Sequence, residues 1–106
     1  MKYKIEFSIE ARSDLKGIIK YIKVNLKQTN IAVDLSNKIK EKIKLISENP
    51  KIYSFINDKY ISKFYIRKAV VDNYLIFYKV LENDEVVQIV RIMYGRRNWI
   101  NILNNE

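Results

Sequence analysis

Arg67, Lys68, Arg91, Arg96 and Arg97 are interleaved along the second half of the chain with Tyr65, Tyr74, Tyr78 and Tyr94. A guanidinium meets a phosphate through two parallel N–H donors, and an aromatic ring offers a face on which a base stacks. Gathered together, these residue types make a groove for single-stranded nucleic acid. The same residues have a plainer use, as half-buried sheet tyrosines with arginines lying over their rings. Other chemistries are closed off by composition. The chain has no histidine and no cysteine, which removes Ser-His and Cys-His catalysis, thiolate nucleophiles, disulfides and zinc-thiolate sites. Acid-base work falls to Lys, Tyr, Asp, Glu or water. Two glycines are too few for a phosphate-cradling loop, paired carboxylates on one strand or helix face are not evident, and no metal-ligand spacing appears, so no cofactor is expected.

The elements that must carry these side chains read as three strands. Phe64 to Val71, Tyr74 to Leu81 and Glu85 to Tyr94 are rich in Ile, Val, Tyr and Phe, and are separated by Asp72-Asn73 and by Glu82-Asn83-Asp84. That is the pattern of consecutive antiparallel hairpins. Alternation places Tyr65 and Arg67 on one face of the first strand, and Phe64, Ile66 and Val70 on the other. In the last strand it places Arg91 with Ile89 and Met93, and Tyr94 opposite unless a bulge intervenes near Gly95. Parity alone does not assemble one site.

Upstream, Tyr3 to Phe7 reads as a short edge strand whose lysines discourage further pairing. Ser8 is placed to cap a helix with Glu10 in its first turn, and Ala11, Leu15, Ile18, Ile19, Ile22 and Leu26 give it one apolar face of roughly five turns. Arg12, Lys16, Lys20 and Lys23 form the outer face. The connector Lys27 to Asn30 forces a helical hairpin. Asn30 is the expected cap of a second helix with the core stripe Ile31, Leu35, Ile39, Ile43 and Ile46, ended by Asn49-Pro50. Lys51 to Ser62 reads as a loop with partly buried aromatics. Arg96 to Leu103 reads as a short helix anchored on the sheet by Trp99, Ile102 and Leu103.

The expected architecture is α+β in the order β-α-α-β-β-β, with the helical hairpin on one face of an antiparallel sheet and a short C-terminal helix, in one domain over residues 1–106. The other sheet face is the expected working surface. A net charge of +8 suits an acidic or polyanionic partner. Most of the excess is lysine in residues 1–50, which carry 11 basic and 6 acidic groups against 9 and 6 in the remainder, and lysine faces commonly only solvate a helix. No apolar run reaches 18 residues and the N-terminus has no signal-peptide core, so a soluble cytoplasmic protein without membrane contact is expected.

One resemblance covers nearly the whole chain. The spacing Ala11, Asp14, Leu15, Ile18, Tyr21, Ile22, the helix ending at Asn49-Pro50, and the strings IRK, NYLIFYKV and VRIMYGRRNWINIL resemble the RelE/ParE superfamily, the toxins of type II toxin-antitoxin (plasmid stabilisation) modules. The resemblance implies a cytoplasmic toxin held inactive by a co-encoded antitoxin that wraps it. It also implies one of two mechanisms, inhibition of DNA gyrase (ParE-like) or ribosome-dependent cleavage of mRNA (RelE-like). Lys68 and Arg97 match basic positions of the ribonucleases, but Leu75 and Leu103 stand where those carry arginine and tyrosine. YLIFY and RIMYGRRN are closer to the ParE-like pattern Y-x-I-F-Y then R-x-x-H-G-x-R-D, with Tyr94 and Asn98 replacing His and Asp. In the ribonuclease case a 2′-hydroxyl attacks the neighbouring phosphate without metal, Arg67 and Arg97 stabilise the transition-state charge, and Lys68 or Tyr94 moves protons. In the gyrase case Lys63, Arg67, Arg91, Arg96, Arg97 and Trp99 form a contact surface. A non-toxic interaction or DNA-binding module is the remaining alternative.

Overall fold

The computed structural model describes residues 2–105. β1 (Lys4–Phe7) runs directly into Ser8, whose hydroxyl accepts from the Ala11 amide at 2.9 Å and donates to the Val90 carbonyl at 2.7 Å. This one side chain caps α1 (Ile9–Lys20) as expected and also ties its start to a strand more than 80 residues away. The helix continues into a wider π segment, Tyr21–Asn25, before the chain turns at Lys27.

α2 (Thr29–Glu48) buries Ala32, Leu35, Ile39, Ile43 and Ile46. Two details of its start differ from expectation. It begins at Thr29 with no side-chain cap, so Asn30 lies inside the first turn. Ile31 is 52% exposed and Ala32 takes its place in the core. A spacing of four overshoots the helical repeat by about 40° per step, so three steps back from Ile43 rotate position 31 out of the buried face.

β2 (Arg67–Val71), β3 (Tyr74–Leu81) and β4 (Val86–Tyr94) form the antiparallel meander, and the sheet order is β1-β4-β3-β2. β1 adds to β4 in parallel, Lys4 opposite Val86 through Phe7 opposite Ile89, because the helical hairpin serves as a crossover that returns the chain in its original direction. β2 is shorter than expected. Ser62–Phe64 is a 3₁₀ turn and Tyr65 is left-handed (φ 55°), so the strand begins only at Arg67. The β2–β3 turn also needs a left-handed residue, supplied by Asp72 (φ 52°), a type that tolerates it.

The bulge falls earlier than expected. Phe77 pairs with Arg91 and Tyr78 with Ile89, leaving Val90 as the extra residue. The bulge resets parity, so that Ile89 and Ile92 both pack in the core beneath the helices while Met93 joins the other face. The expected grouping of Arg91 with Ile89 and Met93 is therefore corrected.

Two apolar cores result. The first lies between the sheet and the hairpin, where Ile39, Ile46, Ile76, Tyr78, Val87 and Ile89 are fully enclosed. The second lies on the opposite sheet face, where Leu75, Phe77 and Met93 are covered by Ile61, Ile66 and α3 (Trp99–Asn104) through Leu103. The second face is thus not an open platform, and exposed surface is confined to its margins. Among the described residues no helix is long and apolar enough to cross a membrane.

Candidate functional site

Arg91 is held within the fold. Its Nε and Nη2 donate to the two Asp14 carboxylate oxygens at 2.7 and 2.9 Å, and the Ile92 amide donates to the same carboxylate at 2.9 Å. Both side chains are nearly enclosed, at 14% and 11% exposure. The pair pins α1 to the bulged part of β4.

Arg67 occupies the helix-side face of β2. Its Nη1 donates to the Tyr53 carbonyl at 2.7 Å, and its guanidinium lies 4.0 Å from the Phe55 ring centre, where Tyr65 packs edge-on at 6.0 Å. Across the ladder is Tyr78, whose hydroxyl donates to the Pro50 carbonyl at 2.8 Å. Burial pushes the Tyr78 phenol up to about 12, partly opposed by the Arg67 charge. At the end of β3, Glu82 is held below the usual carboxylate range, chiefly by a hydrogen bond from Lys51.

Lys68 is one residue on and faces the opposite side. Its ammonium lies 5.0 Å from the Trp99 ring centre, and Trp99 packs on Phe77 at 5.4 Å. Together they border a shallow depression of about 330 Å³ against Ser54–Asp58. Lys63 lies over Phe64, 5.2 Å from its ring.

Tyr94 and Arg97 belong to a third location. The Arg97 amide donates to the Tyr94 carbonyl at 3.1 Å, a tight turn that brings both to the mouth of a cleft of about 790 Å³ between α1 and the ends of β3 and β4. Tyr74 and Tyr94 meet edge-on at 5.7 Å, Tyr21 closes the wall from the π segment, and the lining includes the buried Ile92 and Met93 and the exposed Gly17 of α1, where an added Cβ finds nothing within 4 Å. Tyr74 is pushed up from the ordinary phenol value by burial first and by Tyr94 and Tyr21 next, so it stays a protonated donor. The sequence reading missed Tyr21 and Gly17. A signal existed, because Asp14, Gly17, Ile18 and Tyr21 are spaced i, i+3, i+4, i+7 and define a second face of α1.

Of the expected site residues, then, the fold brings Tyr94 and Arg97 together, and Lys68 with Trp99. It sets Arg67 and Lys68 on opposite faces of β2, turns Arg91 inward, and leaves Arg96 exposed in the turn after β4. A fourth surface is an apolar groove of about 620 Å³ floored by Phe7, Leu15, Ile19 and Val24, with Arg12, Lys16, Lys20 and Lys23 along it. None of these four cations has an acidic partner among the described residues. Among the same residues no cluster of three acidic side chains stands close enough to hold a metal ion.

Residues 5–99 match the profile of the family described as ParE toxin of type II toxin-antitoxin system, parDE. Solved structures share the fold at low identity. A chromosomal ParDE toxin-antitoxin system from P. aeruginosa superposes with TM-score 0.67 at 16% identity, covering 88% of this chain and 96% of that one. A mutant E. coli RelE toxin in the free state gives 0.69 at 14%, covering 99% and 96%. The RelBE2 toxin-antitoxin complex of Mycobacterium tuberculosis gives 0.62 at 16%, covering 89% and 99%. No sequence among curated proteins matches significantly.

Proposed function

The chain belongs to the ParE toxin family of type II toxin-antitoxin systems, and from that membership we propose that residues 1–106 form one toxin domain, neutralised by a co-encoded antitoxin and acting by inhibition of DNA gyrase. The observation that carries the choice of mechanism is the dispersal of Arg67, Lys68 and the Tyr94–Arg97 pair over three locations. Cleaving a phosphodiester without metal needs a base, an acid and a charge stabiliser within hydrogen-bond reach of one phosphate. Side chains divided between two sheet faces and a separate cleft favour binding over bond breaking. A stoichiometric poison needs only complementary surface, and Arg96, Arg97 and Lys68 with Trp99 supply cationic and aromatic contacts of that kind.

The α1 groove supports the antitoxin half of the reading. An apolar floor with four cations along it, none paired with an acid among the described residues, is complementary to an amphipathic segment carrying Leu or Ile on one side and Glu or Asp on the other. The ParDE and RelBE2 structures are of toxin-antitoxin systems, which fits the same assignment.

Supercoiling by purified gyrase, measured with increasing amounts of the chain, tests the target. Loss of supercoiling, with mRNA left intact on translating ribosomes, is the expected result. Cleavage at A-site codons that an Arg97→Ala variant loses, without any effect on gyrase, refutes the gyrase reading in favour of the ribonuclease one. Reversing Lys16 and Lys20 to Glu is expected to abolish rescue of growth by the protein encoded beside this one. Full rescue removes the groove from the antitoxin interface.

A further inference from the structure

The sheet order β1-β4-β3-β2 gives β1 a neighbouring strand on one side only. The Lys4 and Ser8 amides donate into β4, to the Glu85 and Ile89 carbonyls, so alternation along the strand turns the N–H and C=O of Ile5 and Phe7 to the open side. At its start the Tyr3 amide is taken by the Ser47 carbonyl at 2.8 Å, which leaves the Tyr3 carbonyl. Side chains alternate as well. Tyr3, Ile5 and Phe7 lie on the helix face, partly buried against the first core. Lys4 and Glu6 are exposed on the other face, and neither has a charged partner among the described residues. A short edge that carries a lysine ordinarily repels a further strand. This edge has one register in which it does not, because YKIEF turned antiparallel against itself about Ile5 sets Lys4 opposite Glu6 and Tyr3 opposite Phe7, each pair occurring on both sides of the centre.

We infer that β1 pairs with β1 of a second copy of this chain, antiparallel and centred on Ile5, so that two four-stranded sheets join across a two-fold axis into one of eight strands. Each strand donates from its Ile5 amide to the Ile5 carbonyl of the other, and from its Phe7 amide to the Tyr3 carbonyl of the other. The open backbone groups of the edge are thereby satisfied. Lys4 and Glu6 of the second copy are then non-hydrogen-bonded partners, with Cα atoms about 4.5 Å apart, close enough for an ion pair. Tyr3 and Phe7 of the second copy make a cross-strand aromatic pair on the helix face. Centring the pair on Lys4 or on Glu6 instead sets like charges opposite one another, so charge selects the register. A net charge of +8 on each copy opposes association at long range, and a weak dimer is therefore expected. β2 and the Lys68–Trp99 contact remain at the two outer edges of the joined sheet. Pairing at β1 is thus independent of the gyrase reading, and either can fail alone.

The test is sedimentation velocity of the purified full chain over about 5–500 µM at about 0.15 M salt, where distant charges are screened. Phe7 also floors the α1 groove, so antitoxin is left out. A monomer–dimer equilibrium with its midpoint at about 10–100 µM is expected of so small an interface. Lys4→Glu and Glu6→Lys each set like charges opposite one another on both sides of the centre, and each is expected to weaken dimerisation about tenfold or more. Net repulsion alone would tighten association in Lys4→Glu and weaken it in Glu6→Lys, so a loss in both reports the local pairs. Mixed together, the two variants are expected to form a heterodimer, because the acids of one strand then face the lysines of the other. Lys4→Glu combined with Glu6→Lys in one chain restores matched pairs and is expected to recover wild-type self-association within about twofold. Both positions are exposed, so unfolding temperatures are expected to change little in every variant. A chain that stays monomeric to about 500 µM overturns the proposal and leaves the edge to a strand of a different protein. So does a dimer that either single variant leaves intact, or a pair of single variants that stay monomeric when mixed.

Discussion

Deleting the Asp14 carboxylate gives the sharpest test of how the sheet and helices are joined. In Asp14→Ala the Arg91 guanidinium loses both hydrogen bonds to the carboxylate at 2.7 and 2.9 Å, and the Ile92 amide loses its acceptor at 2.9 Å. Breaking a buried pair from one side costs about 3–5 kcal/mol, because the remaining charge stays desolvated. With both groups more than four-fifths covered, the lower end, about 3 kcal/mol, is expected for the pair, and the orphaned amide adds about 1 kcal/mol. For 106 residues an unfolding entropy of about 2.1 cal/mol/K per residue gives roughly 0.22 kcal/mol/K, so a loss of about 4 kcal/mol lowers the midpoint by about 18 °C. Thermal and urea unfolding of Asp14→Ala, Arg91→Ala and the double variant complete a cycle whose expected coupling is about 2 kcal/mol. Asp14→Leu with Arg91→Leu is expected to recover part of the loss, since a matched apolar pair avoids the desolvation cost. A single-variant loss below about 1 kcal/mol, or a coupling below about 0.5 kcal/mol, would falsify the staple role and return Arg91 to the set of surface arginines.

Other outcomes are expected from the same geometry. The fold favours the neutral Tyr78 phenol, so its contribution to stability is complete below the ordinary phenol range near 10 and is lost as pH rises towards about 12. Urea midpoints measured across that window are expected to fall more steeply for the wild type than for Tyr78→Phe, and equal slopes would refute this. Ser8→Ala removes a helix cap and the hydroxyl's bond to Val90 together, an expected loss of about 1–2 kcal/mol by denaturant titration. Gly17→Ala is expected to stabilise α1 by about 0.8 kcal/mol, because the position is mid-helix and the methyl group meets nothing. Leu103→Ala opens the second core under α3 and is expected to cost about 2–4 kcal/mol by denaturant titration.

Residue order alone carried the element list, because each element has its own local signature. The apolar period of α1, the proline after α2, the polar breaks of the meander and the cap at Ser8 are all decided within a few residues of where they act. The resemblance rested on the same local strings, and a family match over residues 5–99 bears it out. Tertiary structure decided which side chains share a place. One extra residue, Val90, reverses the facing of everything after it in β4, and nothing in the local sequence marks its position. Arg91 could not be told from Arg96 or Arg97 by type or spacing. It turns inward only because the bulge aims it at Asp14, 77 positions earlier. Likewise Tyr21, Gly17, Tyr74 and Arg97 come from separate elements and form one cleft only when α1 is laid across the strand ends. Periodicity fixes which face of an element is apolar. Long-range pairing and register fix what that face meets, and in this protein a single-residue bulge and a helix-strand ion pair set both.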